Sequence, residues 1–177
     1  IEYSGKLISN KAFELASASV YTTQASPITG ASKPYTYVDY LWSNDLSFEI
    51  IWKVGFEVTS YGGSLGQVFL SFNNDYVYFY PDYVPAQWVL NLYSSSDLRY
   101  NSYFAEMATG YDHNLTWPLL VKYYGNQNFI NPYLIYHVSM PKPFRLAEQY
   151  LIRAEAYCRQ QTPNYALASK DLSTLRE

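Results

Sequence analysis

One cysteine, Cys158, stands in a chain of 177 residues. A single thiol excludes an internal disulfide and any metal site built from several thiolates. Histidine is almost as scarce, with two in all. His113 and His137 sit in no ligand-spaced motif, so neither is expected to bind metal or catalyse. Charge is sparse at 15% of residues, and the formal net charge is -3. No basic surface therefore recommends a nucleic acid or an anionic membrane as partner. No apolar run approaches the roughly 20 residues of a membrane span, and the residues after Ile1 do not read as a signal peptide. The stretch GGSLG, Gly62 to Gly66, lacks the Lys-Ser/Thr of a phosphate loop and reads as a turn.

Convergent carboxylates are missing too. A glycosidase needs two carboxyl groups roughly 5 to 10 Å apart across one bond. Glu49 and Glu57 fall on one face of an expected strand, but eight residues of strand separate them by roughly 27 Å. Glu148 and Glu155 lie two turns apart on an expected helix and oppose nothing. Asp97 and Arg99 flank a turn, where an ion pair or a helix cap is expected. Cys158 is expected on the buried side of its helix, as an inert packing residue.

What the chain has is apolar and aromatic. Hydrophobic residues are 49%, enough for a core, and disorder is not expected over most of the length. Aromatics are 19%, with 21 tyrosines. Each tyrosine joins a flat apolar face to a hydroxyl. That suits a core with wet edges, and equally a surface that stacks on polar ligands.

Periodicity supplies the elements. Helix is expected at either end of Ser4 to Ala18, interrupted by Gly5 and Ser9-Asn10; Thr22 to Pro34 reads as loop, and Tyr35 to Asp45 is ambiguous, with helix favoured. Phe48, Ile50, Trp52, Val54, Phe56 and Val58 alternate with polar residues, which predicts a half-buried strand with the apolar set inward. A second strand is expected over Gln67 to Phe72, a turn at Asn73 to Asp75, and a third strand carrying Tyr76, Tyr78 and Tyr80 on one outward face. Pro85 opens a short helix with Trp88 and Leu92 on one side. Tyr100 to Glu106, Leu119 to Tyr124 and Leu134 to Val138 read as extended. From Leu146, the residues Ala147, Leu151, Ala154 and Cys158 recur at spacings of four, three and four, which is one helical face. Glu155 and Arg159 form an i,i+4 pair. Thr162 is placed to cap a second helix, with Ala168, Leu172 and Leu175 as its buried face. Together these make an antiparallel hairpin of tetratricopeptide type, a unit that needs neighbours to bury its face.

The stretch RLAEQYLIRAEAY, Arg145 to Tyr157, followed by a helix ending in LSTLRE, resembles the C-terminal signature of the SusD/RagB family. Four further pieces agree in order: SGKLISNKAFEL, YLWSNDLSFEIIWKV, VPAQWVLNLYSSSDLRYNSYF with Asp97 and Arg99, and LLVKYYG. The resemblance implies a mainly α fold, a tetratricopeptide-like superhelix with a small antiparallel β insertion. The chain would be an internal to C-terminal fragment of one larger domain: a central region with strands over 1–84 and the signature region over 85–177. It also implies a lipoprotein of the outer membrane, attached through an N-terminal lipid anchor outside this chain. Such a protein binds oligosaccharides without catalysis and without a cofactor, and partners a SusC-like, TonB-dependent transporter. The site residues expected are not carried by any motif of the family. They are Tyr61, Asn74, Asp75, Tyr76, Tyr78 and Tyr80, chosen because rings cover the C–H faces of sugars while amides and carboxylates bind the hydroxyls. A tetratricopeptide-type scaffold that binds other proteins is the alternative reading.

Overall fold

The computed structural model describes residues 1–22, 35–56, 65–73, 78–110, 115–126 and 137–176. Helix α1 (Glu2–Ile8) leads to strands β1 (Val20–Thr22) and β2 (Tyr35–Thr36), which pair antiparallel, and directly into α2 (Tyr37–Asn44). A capping box starts α2: the Thr36 hydroxyl accepts from the Asp39 amide, and the Asp39 carboxylate accepts from the Thr36 amide. The helix ends at Asp45, in the left-handed region at φ 61°. Next come β3 (Ile50–Trp52), α3 (Gln67–Leu70), β4 (Phe72–Asn73) and β5 (Tyr78–Phe79), then α4 (Gln87–Leu90) and α5 (Leu98–Tyr103). The longest strands follow, β6 (Phe104–Ala108) and β7 (Thr116–Leu120), and then β8 (Phe144–Arg145), α6 (Leu146–Cys158) and α7 (Tyr165–Thr174).

The architecture corrects the expected mainly α superhelix. Helices and short antiparallel strand pairs alternate along the chain, an α/β mix. The strand pairs among the described residues are β1 with β2, β3 with β8, β4 with β5, and β6 with β7. Only α6 and α7 have the length for a helical hairpin, at 13 and 10 residues. The other helices are short: α1 packs on α6, and α3 packs on the β6–β7 ladder.

The apolar core forms where β6 and β7 meet α3. Leu70, Met107, Leu119 and Val121 are buried together, with Phe69, Phe79, Ala105, Trp117 and Tyr124 packed around them. Phe104 faces Leu120 and Met107 faces Trp117 across the ladder. Gln67 to Leu70 is helical here, not the expected strand, because one turn of helix delivers Leu70 into this core and turns Gln67 outward. The extended reading of Tyr100 to Glu106 is corrected likewise. Its first part is helix α5, started by Asp97, whose carboxylate accepts from the Arg99 amide at 2.9 Å. Asp97 and Arg99 also form the expected ion pair, at 2.6 Å.

The α6–α7 hairpin forms, but its seam differs from the apolar stripe. Ala154 and Ala168 are buried, at 4% and 3% exposure. Leu151 and Leu172, expected inside, are 50% and 40% exposed, and Cys158 is exposed as well. The place is taken by an ion pair: Arg153 donates from Nε and Nη2 to the two Asp171 oxygens at 2.8 and 2.7 Å. Asn164, Ala168, Asp171 and Leu175 also recur at four, three and four. A bidentate pair selects that face, because Asp171 pointing outward would lose it. Asn164, not Thr162, caps α7, its carbonyl oxygen accepting from the Leu167 amide at 3.1 Å. The Glu155–Arg159 pair is present at 2.8 Å. Helix α1 also packs against α6.

The alternating strand is corrected most sharply. Phe48, Trp52 and Val54 are exposed, while Glu49 is buried at 4%. Among the described residues strand β3 pairs only with the two residues of β8, and no wider sheet there imposes an inner face. Glu49 goes inside because it is satisfied there. Arg145 Nη1 donates to it at 2.8 Å, the Ala16 amide donates at 2.9 Å, and its own carbonyl accepts from the Leu146 amide at 2.9 Å.

Candidate functional site

Of the expected sugar-binding residues, Tyr61, Asn74, Asp75 and Tyr76 lie outside the described residues. Tyr78 is buried at 4% and Tyr80 is 53% exposed. The row of three outward rings is therefore broken at Tyr78. Strand β5 is covered on both flanks: it pairs with β4 through Phe72–Phe79 and Asn73–Tyr78, and Phe79 bridges to Thr109 at the end of β6. The Phe72 and Phe79 rings pack 4.8 Å apart. The chain leaves the ladder at Tyr80, whose amide donates to the Ser71 carbonyl at 2.8 Å. Its ring is half-exposed and makes an edge contact with Tyr78 at 6.2 Å.

Tyr80 begins an exposed run. Tyr83 is 67% exposed and Trp88 68%. The backbone beneath is held: the Asp82 and Tyr83 amides both donate to the Val68 carbonyl at 3.0 and 3.2 Å, and the Trp117 indole N–H donates to the Pro85 carbonyl at 3.0 Å. Leu90 anchors α4 in the interior. Amides stand among the rings, with Gln87 Nε2 donating to Asn91 Oδ1 at 2.9 Å. Trp88 is the residue whose exposure sequence reasoning missed. A helix of four residues has one inward position, and Leu90 takes it.

A second aromatic cluster centres on Trp42 of α2. The Tyr103 and Tyr123 rings meet it edge-on at 6.1 and 5.9 Å, and Phe69 stacks on Tyr123 at 5.8 Å. Three cations surround the indole. Lys122 Nζ lies 3.9 Å from the ring centroid, Arg145 Cζ 5.0 Å and Lys142 Nζ 5.5 Å. Lys122 Nζ is also 4.9 Å from the Tyr103 centroid and 5.3 Å from that of Tyr123. Two of the cations have counter-ions, Arg145 on Glu49 and Lys142 on Asp45. Lys122, half-buried, has no carboxylate partner among the described residues. Burial, reinforced by the charges of Arg145 and Lys142, pulls its ammonium down to about 8. Burial pushes the Tyr103 phenol up.

Two further buried titratable groups hold the fold, Asp45 and His137. Asp45 is 1% exposed; it accepts from Lys142 and, at 2.9 Å, from Asn126 Nδ2, and its carbonyl accepts from Lys53. His137 is also 1% exposed, with Nδ1 2.8 Å from the Tyr124 carbonyl and Nε2 2.9 Å from that of Leu70. Its imidazole ties α3 to the segment after β7, and burial lowers its pKa against the pull of those carbonyls. His113 and Glu57 lie outside the described residues. Among the described residues no three His, Cys, Asp or Glu side chains gather where they could hold a metal. Compared with known proteins, the chain gives no significant match to a family model, a curated protein or a solved structure.

Proposed function

We propose that this chain belongs to a non-catalytic oligosaccharide-binding protein of the cell surface. It delivers its ligand to a SusC-like, TonB-dependent transporter, and a lipid anchor outside this chain holds it at the outer membrane. The observation that carries the reading is the exposed run Tyr80, Tyr83 and Trp88 on a hydrogen-bonded backbone, with Gln87 and Asn91 beside it. Aromatic faces and amides in one stretch match the two kinds of surface a sugar offers. Non-catalytic binding is supported by the buried carboxylates, since Asp45, Glu49 and Asp171 are each held in an ion pair. The signature at Arg145 to Tyr157 lends the transporter and the anchor to the reading.

The test is calorimetric titration of the full-length protein with a panel of oligosaccharides, followed by chromatography of the mixture. Binding without turnover is expected. Each stacked ring contributes about 0.5–1.5 kcal/mol beyond its burial. Tyr83→Ala with Trp88→Ala should therefore weaken binding by roughly tenfold or more. Unchanged affinity in that pair removes the aromatic run from the site; products on the chromatogram refute non-catalytic binding.

One observation favours a protein-interaction scaffold instead. The outer faces of α6 and α7 expose Leu151, Ile152, Tyr165, Leu167 and Leu172. Capture of a peptide, lost on replacing Ile152 and Leu172 by serine, would establish that alternative.

A further inference from the structure

We infer that the cluster around Lys122 is a subsite for the acidic substituent of a charged sugar, so that the ligand class is acidic rather than neutral oligosaccharide; this rests on the oligosaccharide-binding reading above. The geometry has three parts. Trp42, Tyr103 and Tyr123 wall the Lys122 ammonium on three sides, with ring centroids 3.9 to 5.3 Å away. Arg145 and Lys142 stand at the same indole, so the site holds three cations. Among the described residues two carboxylates answer them, Glu49 bound to Arg145 and Asp45 bound to Lys142. Among the described residues, the charge left without a carboxylate is that of Lys122.

A half-buried ammonium without a counter-ion is costly. The rings repay part of that cost through their negative faces. The neighbouring cations add to it, which is why Lys122 gives up its proton near pH 8. An incoming carboxylate or sulfate ester would supply the missing partner in a partly desolvated setting, where a charge-assisted bond is strong. Tyr103 and Tyr123 are only half-buried, so they leave ring surface beside the charge for the sugar itself. A neutral sugar offers no group for this ammonium that water does not offer equally.

The experiment compares an α-1,4-linked trigalacturonate with the matching neutral galactotriose by calorimetric titration of the full-length protein, with acetate as a charge-only probe. Lys122→Gln and Lys122→Arg accompany the wild type. The charged trisaccharide is expected to bind at least tenfold more tightly than the neutral one. That preference should vanish in Lys122→Gln and survive in Lys122→Arg. In the wild type it should fade as the pH is raised from 7 to 9.5. The groups facing the site are Lys122, Lys142, Arg145, Tyr103 and Tyr123, with Asp45 and Glu49 in their pairs, and Lys122, pulled down to about 8, is the group expected to lose its charge within that range. Equal binding of both trisaccharides, unaffected by Lys122→Gln, overturns the acidic subsite and leaves oligosaccharide binding standing. Binding of neither overturns the subsite together with that reading. Acetate bound as tightly as the trisaccharide, and lost in Lys122→Gln, overturns the assignment to a sugar.

Discussion

Replacing Asp45 by alanine removes two supports and leaves a third problem behind. The first support is the ion pair with Lys142, in which both side chains are 1% exposed. The second is the acceptor for Asn126 Nδ2 at 2.9 Å. The problem is the backbone, at φ 61°, which alanine tolerates poorly. Removing one partner of a buried ion pair costs about 3–5 kcal/mol, because the other charge stays buried and unpaired. Left-handed backbone at a residue with Cβ costs about 1 kcal/mol, which aspartate already bears and glycine relieves. Asp45→Ala should therefore lose about 3–5 kcal/mol, and Asp45→Gly about 1 kcal/mol less, since glycine sheds the strain but not the stranded lysine. Asp45→Asn isolates the charge, because the amide oxygen still accepts from Asn126 and asparagine tolerates the left-handed region. Adding Lys142→Met to Asp45→Asn should recover most of the loss. Thermal and urea unfolding of the whole protein read these changes, at about 2–4 °C per kcal/mol for a chain of this size. The pH dependence has a definite sign. Burial lowers the folded-state pKa of Lys142 from 10.5, against the pull of Asp45. Without that carboxylate the folded pKa falls further. The deficit of Asp45→Asn is then full below the folded pKa and shrinks as the pH rises through it toward the unfolded value. Asp45→Asn as stable as the wild type would refute the buried pair. Asp45→Gly no better than Asp45→Ala would refute the strain.

Two further substitutions test the packing. A Cβ on Gly66 would sit 2.0 Å from the Tyr123 carbonyl oxygen and 2.4 Å from His137 Cβ. These atoms belong to backbone or to its first carbon, so Gly66→Ala should destabilise by about 3 kcal/mol or more, although alanine suits its φ of -65°; an unchanged melting curve would mean that Tyr123 does not pass this close to α3. Ala154→Leu should push α6 from α7 and stretch the Arg153–Asp171 contact of 2.7 Å, costing about 1–3 kcal/mol in denaturant unfolding; a variant as stable as the wild type would argue against the tight seam at Ala154 and Ala168.

Features that depend on neighbours in sequence were legible without the fold. The helix over Leu146 to Cys158 needs only its 3.6-residue period, and the Glu155–Arg159 and Asp97–Arg99 pairs need only their spacing. The stretch Tyr35 to Asp45 was ambiguous in the sequence, with helix favoured, and α2 forms there. What faces inward was decided elsewhere. Glu49 is inside and Phe48 outside because Arg145, 96 residues on, satisfies the carboxylate. Asp45 is buried because Lys142, 97 residues on, and Asn126, 81 residues on, both reach it. Tyr78 is buried because the end of β6 covers its strand, and Trp88 is exposed because a single turn of helix turned Leu90 in. The cluster at Lys122 gathers Trp42, Tyr103, Tyr123, Lys142 and Arg145 from four separate segments, with no spacing that announces it. Local hydrogen bonds and i,i+4 contacts carry their energy within one turn and so leave a period in the sequence. Buried charges and aromatic cages draw theirs from partners that only the tertiary fold brings within reach.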